Sequence, residues 1–141
     1  MPLYETAEDR LEEDRVSDQL QAAWDLDVWS FAPTSTGDLL LGKDGKLRAI
    51  CEVKRRHNLL NKYETYIISR SKLEGLSAMA AALNTKGLLA VQFDDVLVWH
   101  DATDALAYDT RWGGRYDRED QNDLELVVHI PIDKLKIVKG G

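Results

Sequence analysis

Apolar residues recur along this chain in two rhythms, one helical and one alternating. Between residues 3 and 24, Leu11, Val16, Leu20, Ala23 and Trp24 stand at helical spacing among charged and amide-bearing neighbours, which predicts an amphipathic helix lying on a sheet. Residues 27–32, Asp-Val-Trp-Ser-Phe-Ala, make a short β-rich run closed by Pro33, and a loop follows to Thr36. After Gly37-Asp38 comes an apolar run, a turn at Lys43-Asp44-Gly45, and a strand from Leu47 to Arg55. Leu47, Ala49, Ile50, Cys51 and Val53 make that strand apolar on both faces, as expected at the centre of a sheet.

The helical rhythm returns further on. Arg55 to Asn61 is polar and basic and contains His57; from about Asn61 a long helix is expected to run to Leu83. Its buried stripe would be Ile68, Leu76, Met79 and Leu83, with Lys72 on the same stripe, either turning outward or reaching toward a carboxylate. Tyr63 and Tyr66, a turn earlier, offer two readings, stacking on a base or packing on the sheet, of which packing is the expectation. Asn84 to Gly87 stops the helix; Leu88 to Phe93 and Val96 to His100 read as antiparallel strands around Asp94-Asp95. Asp94, Asp95 and Asp101 are read as turn residues. A short connection from Ala102 to Tyr108, a charged loop from Asp109 to Asp123 bearing Arg111, Arg115 and Arg118, a last strand from Leu124 to Ile130 and a packed tail complete the chain. With 141 residues, 44% of them hydrophobic, and no repeat or linker, the chain reads as one domain with a C-terminal loop and strand extension from about residue 102.

Candidate chemistry sits on the central strand. Alternation puts Glu52 and Lys54 on one face and Cys51 and Val53 on the other. A carboxylate and an ammonium thus share a surface. A three-residue hairpin loop, Lys43 to Gly45, would set Gly42 against Lys46 and Asp38 against Ile50, on that same face and diagonal to Glu52, about 7–8 Å away. A two-residue loop would send Asp38 to the opposite face. Because an unpaired buried carboxylate is costly, Glu52 near the end of a central strand calls for a metal, a lysine or both.

Charge adds a second signal. The chain carries −7 overall, which argues at first against a nucleic-acid partner. From Lys43 to Lys72, however, nine Lys and Arg face three acids, a local balance of +6, whereas residues 1–30 hold nine acids and two bases. The basic band surrounds the proposed carboxylates. One cysteine and no apolar N-terminal segment suggest a reducing, cytoplasmic setting, cellular or in a virus-infected host, and no membrane partner. Glycine-rich phosphate loops, zinc spacings of Cys and His, and a Gly-x-Ser-x-Gly elbow are all missing from the sequence.

An aspartate, thirteen intervening residues and Glu-Val-Lys at a strand end resemble the PD-(D/E)XK nuclease superfamily, with Asp38, Glu52 and Lys54 in its three signature positions and Gly37 where proline is usual. The resemblance implies an α/β, restriction-endonuclease-like core, a central mixed sheet flanked by helices in αβββαβ order. It implies Mg²⁺, replaceable by Mn²⁺, held by Asp38, Glu52 and the Val53 carbonyl. Lys54 would act on the attacking water or the transition state. Glu13, with Glu12 as the alternative, would support the site from the first helix. Arg55, Arg56 and Lys72 would contact DNA, whether duplex, branched or at an end, and a homodimer is admitted. The rival readings are a non-catalytic nucleic-acid-binding or protein-interaction module on this fold, and a nuclease acting on RNA.

Overall fold

The structure, a computed structural model, describes residues 7–30, 38–113 and 124–139; for residues 7–14, 30 and 38 it describes the backbone alone. A six-stranded sheet forms the middle layer. Its strands are β1 (Asp27–Ser30), β2 (Asp38–Lys43), β3 (Lys46–Arg55), β5 (Lys86–Gln92), β6 (Leu97–Asp101) and β9 (Lys136–Ile137), in the spatial order β1-β2-β3-β5-β6-β9. Only the β3–β5 pairing is parallel, so the sheet is mixed. A second sheet of three strands joins β4 (Thr65–Ser69), β8 (Glu125–Pro131) and β7 (Thr110–Gly113) in the order β4-β8-β7.

Two apolar clusters lie on opposite faces of the middle sheet. Helix α1 (Ala7–Trp24) buries Val16 and Leu20 against Leu39, Leu41, Ala49 and Cys51. On the other face, helix α2 (Arg70–Ala82) and the second sheet pack Leu73, Leu76, Tyr66, Ile68, Val128 and Ile130 against Ile50, Leu89 and Val91. Residues beyond 102 enter this core through β8 and Leu135 and extend the middle sheet through β9. The expected αβββαβ order is present, with β4 inserted ahead of the second helix. Among the described residues no helix is long and apolar enough to cross a membrane.

That insertion corrects the expected helix from Asn61 to Leu83. A 3-10 turn at Leu60–Lys62 is followed by β4, and the helix starts only at Arg70. Thr65-Tyr-Ile-Ile-Ser69 is β-branched and aromatic, and its burial alternates: Tyr66 and Ile68 inside, Ile67 outside. Alternation outweighed the helical pattern. The buried stripe of α2 is consequently Leu73, Leu76 and Ala80, while Met79 and Leu83 are exposed and Lys72 points to solvent. The charged loop expected from Asp109 likewise begins with β7, paired to β8; Arg115 and Arg118 lie outside the described residues.

Candidate active site

The hairpin between β2 and β3 builds the site. Its turn has two residues rather than three: Lys43 pairs with Lys46, and Asp44 (φ 54°) and Gly45 (φ 74°) both take left-handed backbone, the type I′ pattern that suits a hairpin's twist. Left regular, this turn would set Asp38 against Cys51. A β-bulge intervenes, because Gly42 faces Leu47 while Leu41 faces Ala49, leaving Arg48 as the extra residue. Beyond the bulge the register moves by one. Asp38 falls directly opposite Glu52, not opposite Ile50 as the three-residue loop required. Directly facing positions of an antiparallel pair share a face, with Cβ atoms about 4.5–5.5 Å apart. The side chain of Asp38 lies outside the described part; its backbone position is the one two cooperating carboxylates need.

Glu52 is 8% exposed, one of two buried polar or charged residues among those described. Lys54 Nζ lies 3.1 Å from its Oε1, so the two share a face as alternation demands. That face is Ile50's, turned toward β4 and α2, whereas Cys51 packs under α1. One ammonium balances one carboxylate, and the ladder sets a second carboxylate residue opposite. An all-oxygen set with surplus negative charge suits a hard divalent cation. Among the described residues alone, which omit the Asp38 side chain, no group of three or more His, Cys, Asp and Glu comes together.

The remaining expected site residues are spread around this pair. Val53 lies between Glu52 and Lys54 on β3, its side chain against the α1 cluster. Glu13 and Glu12 belong to α1, and their side chains lie outside the described part. Arg55 is drawn inward: its Nη2 donates to Asp94 Oδ1 at 2.7 Å, and its Nη1 to the Gln92 carbonyl at 3.1 Å and to the Arg56 carbonyl. A guanidinium held on three acceptors is structural. Arg56 continues the face of Glu52 and Lys54, its N–H extending the β5 ladder to the Gln92 carbonyl, and its guanidinium lies 4.8 Å from the centre of the Tyr66 ring. Lys72 stands exposed in the first turn of α2. Asp95 accepts from the Leu60 N–H and Asp101 caps the short helix α3 (Ala102–Ala105), which accounts for both carboxylates without a second site.

Tyr66, expected to pack on the sheet, does so, but from a strand rather than a helix. On β4 it is 3% exposed, and its hydroxyl has no hydrogen-bond partner among the described residues. Burial pushes the phenol up to about 12; the Arg56 charge pulls it back, and the Glu52 carboxylate adds to the rise. The Arg56 guanidinium over its ring puts Tyr66 at the end of the Glu52–Lys54–Arg56 row. Alternation in residues 65–69 was the signal that could have revealed it.

The family described as "Phage putative PDDEXK endonuclease" matches residues 1–138. No curated protein matches the chain. Among solved structures, the chain is similar to Archaeoglobus fulgidus Hjc, a Holliday junction resolvase from an archaeal hyperthermophile. The identity is 14% over 85% of this chain and 81% of that one, with a TM-score of 0.48. At that level it carries no weight for the site.

Proposed function

Since the chain belongs to this phage family of PDDEXK endonucleases, we propose that it hydrolyses DNA phosphodiester bonds with a divalent cation at Asp38, Glu52 and Lys54. The observation that carries the reading is the buried Glu52 carboxylate, 3.1 Å from Lys54 and directly opposite Asp38 in the ladder. Asp38, Glu52 and the Val53 carbonyl would hold Mg²⁺, with Mn²⁺ able to replace it. When bound, such a cation polarises the scissile phosphate and acidifies a water. Lys54 donates from Nζ to that water or to a phosphate oxygen and offsets charge that develops in the transition state. Glu13 of α1 would support the water. Lys72 and Arg56 hold flanking phosphates.

We take the chain's role to be structure- or end-directed, in recombination, repair or phage DNA metabolism, in the cytoplasm. The test is incubation of purified protein with plasmid, linear, single-stranded and branched DNA, and with RNA, each with Mg²⁺, Mn²⁺ or chelator. Metal-dependent cleavage of DNA by the wild type and its loss in Lys54→Ala are expected. Cleavage of RNA alone would move the substrate class. Nucleic-acid binding without cleavage in any metal would leave a binding module on the nuclease fold.

A further inference from the structure

A half-open cavity of about 500 Å³ lies at the end of the Glu52–Lys54–Arg56 row, a size typical of small-molecule sites. Tyr66 and Phe93, edge to face at 6.2 Å, line it together with Leu60, Ile67 and Ile132. At the rim are the exposed ring of Tyr63, the Asn58 amide, Thr65, and the Arg56 guanidinium over Tyr66. Glu64 adds a carboxylate. Apolar, aromatic walls with an acid beside them do not suit a bare phosphate, whose hydration they could not replace. They suit a flat, amphipathic ring: the exposed Tyr63 ring offers a face for stacking, and an amide, a hydroxyl and a guanidinium stand ready for its edges.

Position narrows the occupant further. Arg56 follows Lys54 by two residues on the same face, about 6–7 Å along the strand, a span that one unstacked nucleotide covers. We propose that this cavity receives a single unpaired nucleobase next to the phosphate held at Lys54. The inference rests on the nuclease reading and deepens it. A base inside an intact duplex stack cannot enter, so the cavity would favour single strands, branch points and frayed ends. Tyr66, buried with an unpartnered hydroxyl, forms part of the cavity's wall.

The test uses the full chain and single-stranded DNA oligonucleotides of about eight nucleotides. Each carries one abasic residue at successive positions; binding is measured in chelator and cleavage with Mg²⁺. The expected result is about a tenfold loss of affinity for an abasic residue at one or two positions, the size of one base–aromatic stack, and less than about twofold elsewhere. Tyr63→Ala removes the exposed ring that lines the cavity; it should erase the position dependence, and Tyr63→Phe should keep it. A flat scan with the wild type, no binding of single strands, or an unchanged scan in Tyr63→Ala overturns the base pocket. Metal-dependent cleavage accompanied by a flat scan removes the pocket and spares the nuclease reading. A position-dependent scan with no cleavage in any metal does the reverse.

Discussion

Replacing Lys54 by alanine should produce two effects that a metal separates. Lys54 Nζ lies 3.1 Å from Glu52 Oε1, with side-chain exposures of 25% and 11%. At an effective dielectric of about 20, Coulomb's law gives about 5 kcal/mol at that distance. Desolvation of both groups and the water that reaches Lys54 reduce the net contribution to about 2 kcal/mol. For a chain of this size that corresponds to a melting temperature lower by roughly 5–10 °C. In chelator, scanning calorimetry should show this deficit, because two acids then share the face without their ammonium. Mg²⁺ at about 100 times its Kd adds about 2.7 kcal/mol to a protein that binds it only when folded. Lys54→Ala, freed of a competing positive charge, should gain more from Mg²⁺ than the wild type, so the gap narrows. Cleavage should nevertheless fall by about two to four orders of magnitude. An unchanged melting temperature in chelator would refute the electrostatic reasoning, and wild-type cleavage by Lys54→Ala would refute the role in chemistry.

Asp38→Asn should lose both cleavage and most of the Mg²⁺-induced rise in melting temperature, since it removes a charged ligand; a calorimetric metal titration that matches the wild type excludes Asp38 as a ligand. Arg55→Ala and Lys72→Ala should separate stability from binding. The first lowers the melting temperature by breaking the contacts to Asp94 and the Gln92 carbonyl. The second leaves it unchanged and reduces the slope of log K against log salt by about 1. Tyr66 gives the pH dependence: its phenol is raised to about 12, so the neutral form is favoured by folding. The stability this contributes is present below about pH 10 and is lost as pH rises toward 12, up to about 2–3 kcal/mol. Tyr66→Phe should abolish that alkaline loss in urea melts, and identical pH profiles for the two proteins would show the phenol to be solvated.

The Glu52–Lys54 pairing was legible in the sequence because it depends on alternation along one strand. Glu52 and Lys54 must share a face whatever surrounds them, and they do. The helix from Val16 to Trp24 was legible for the same reason: its periodic apolar positions have one solution. The register of Asp38 was less so, because turn length and bulge both enter it. Asp44-Gly45 is a strong two-residue hairpin signal, but the bulge at Arg48 comes from pairing that no local pattern announces. The run from Thr65 to Ser69 was misread because the helical spacing of Ile68 and Leu76 competes with a strand of only five residues. Its partner β8 lies some sixty residues away. Arg55 illustrates a third limit: a basic residue beside a site counts toward phosphate binding only if Asp94 has not already claimed it.

Asp38 and Glu52 are joined twice. Through the chain they are separated by thirteen residues that travel round the hairpin tip; across the ladder they are one strand spacing apart. The two paths answer to different changes. Adding a residue to the exposed tip at Asp44-Gly45, or smoothing out the bulge at Arg48, lengthens or shortens the first path and leaves the second untouched, provided the flanking ladder holds. The count of residues between the two acids can therefore change at the tip or the bulge without moving the rung, and a pattern that demands a fixed interval between them describes the chain path rather than the contact.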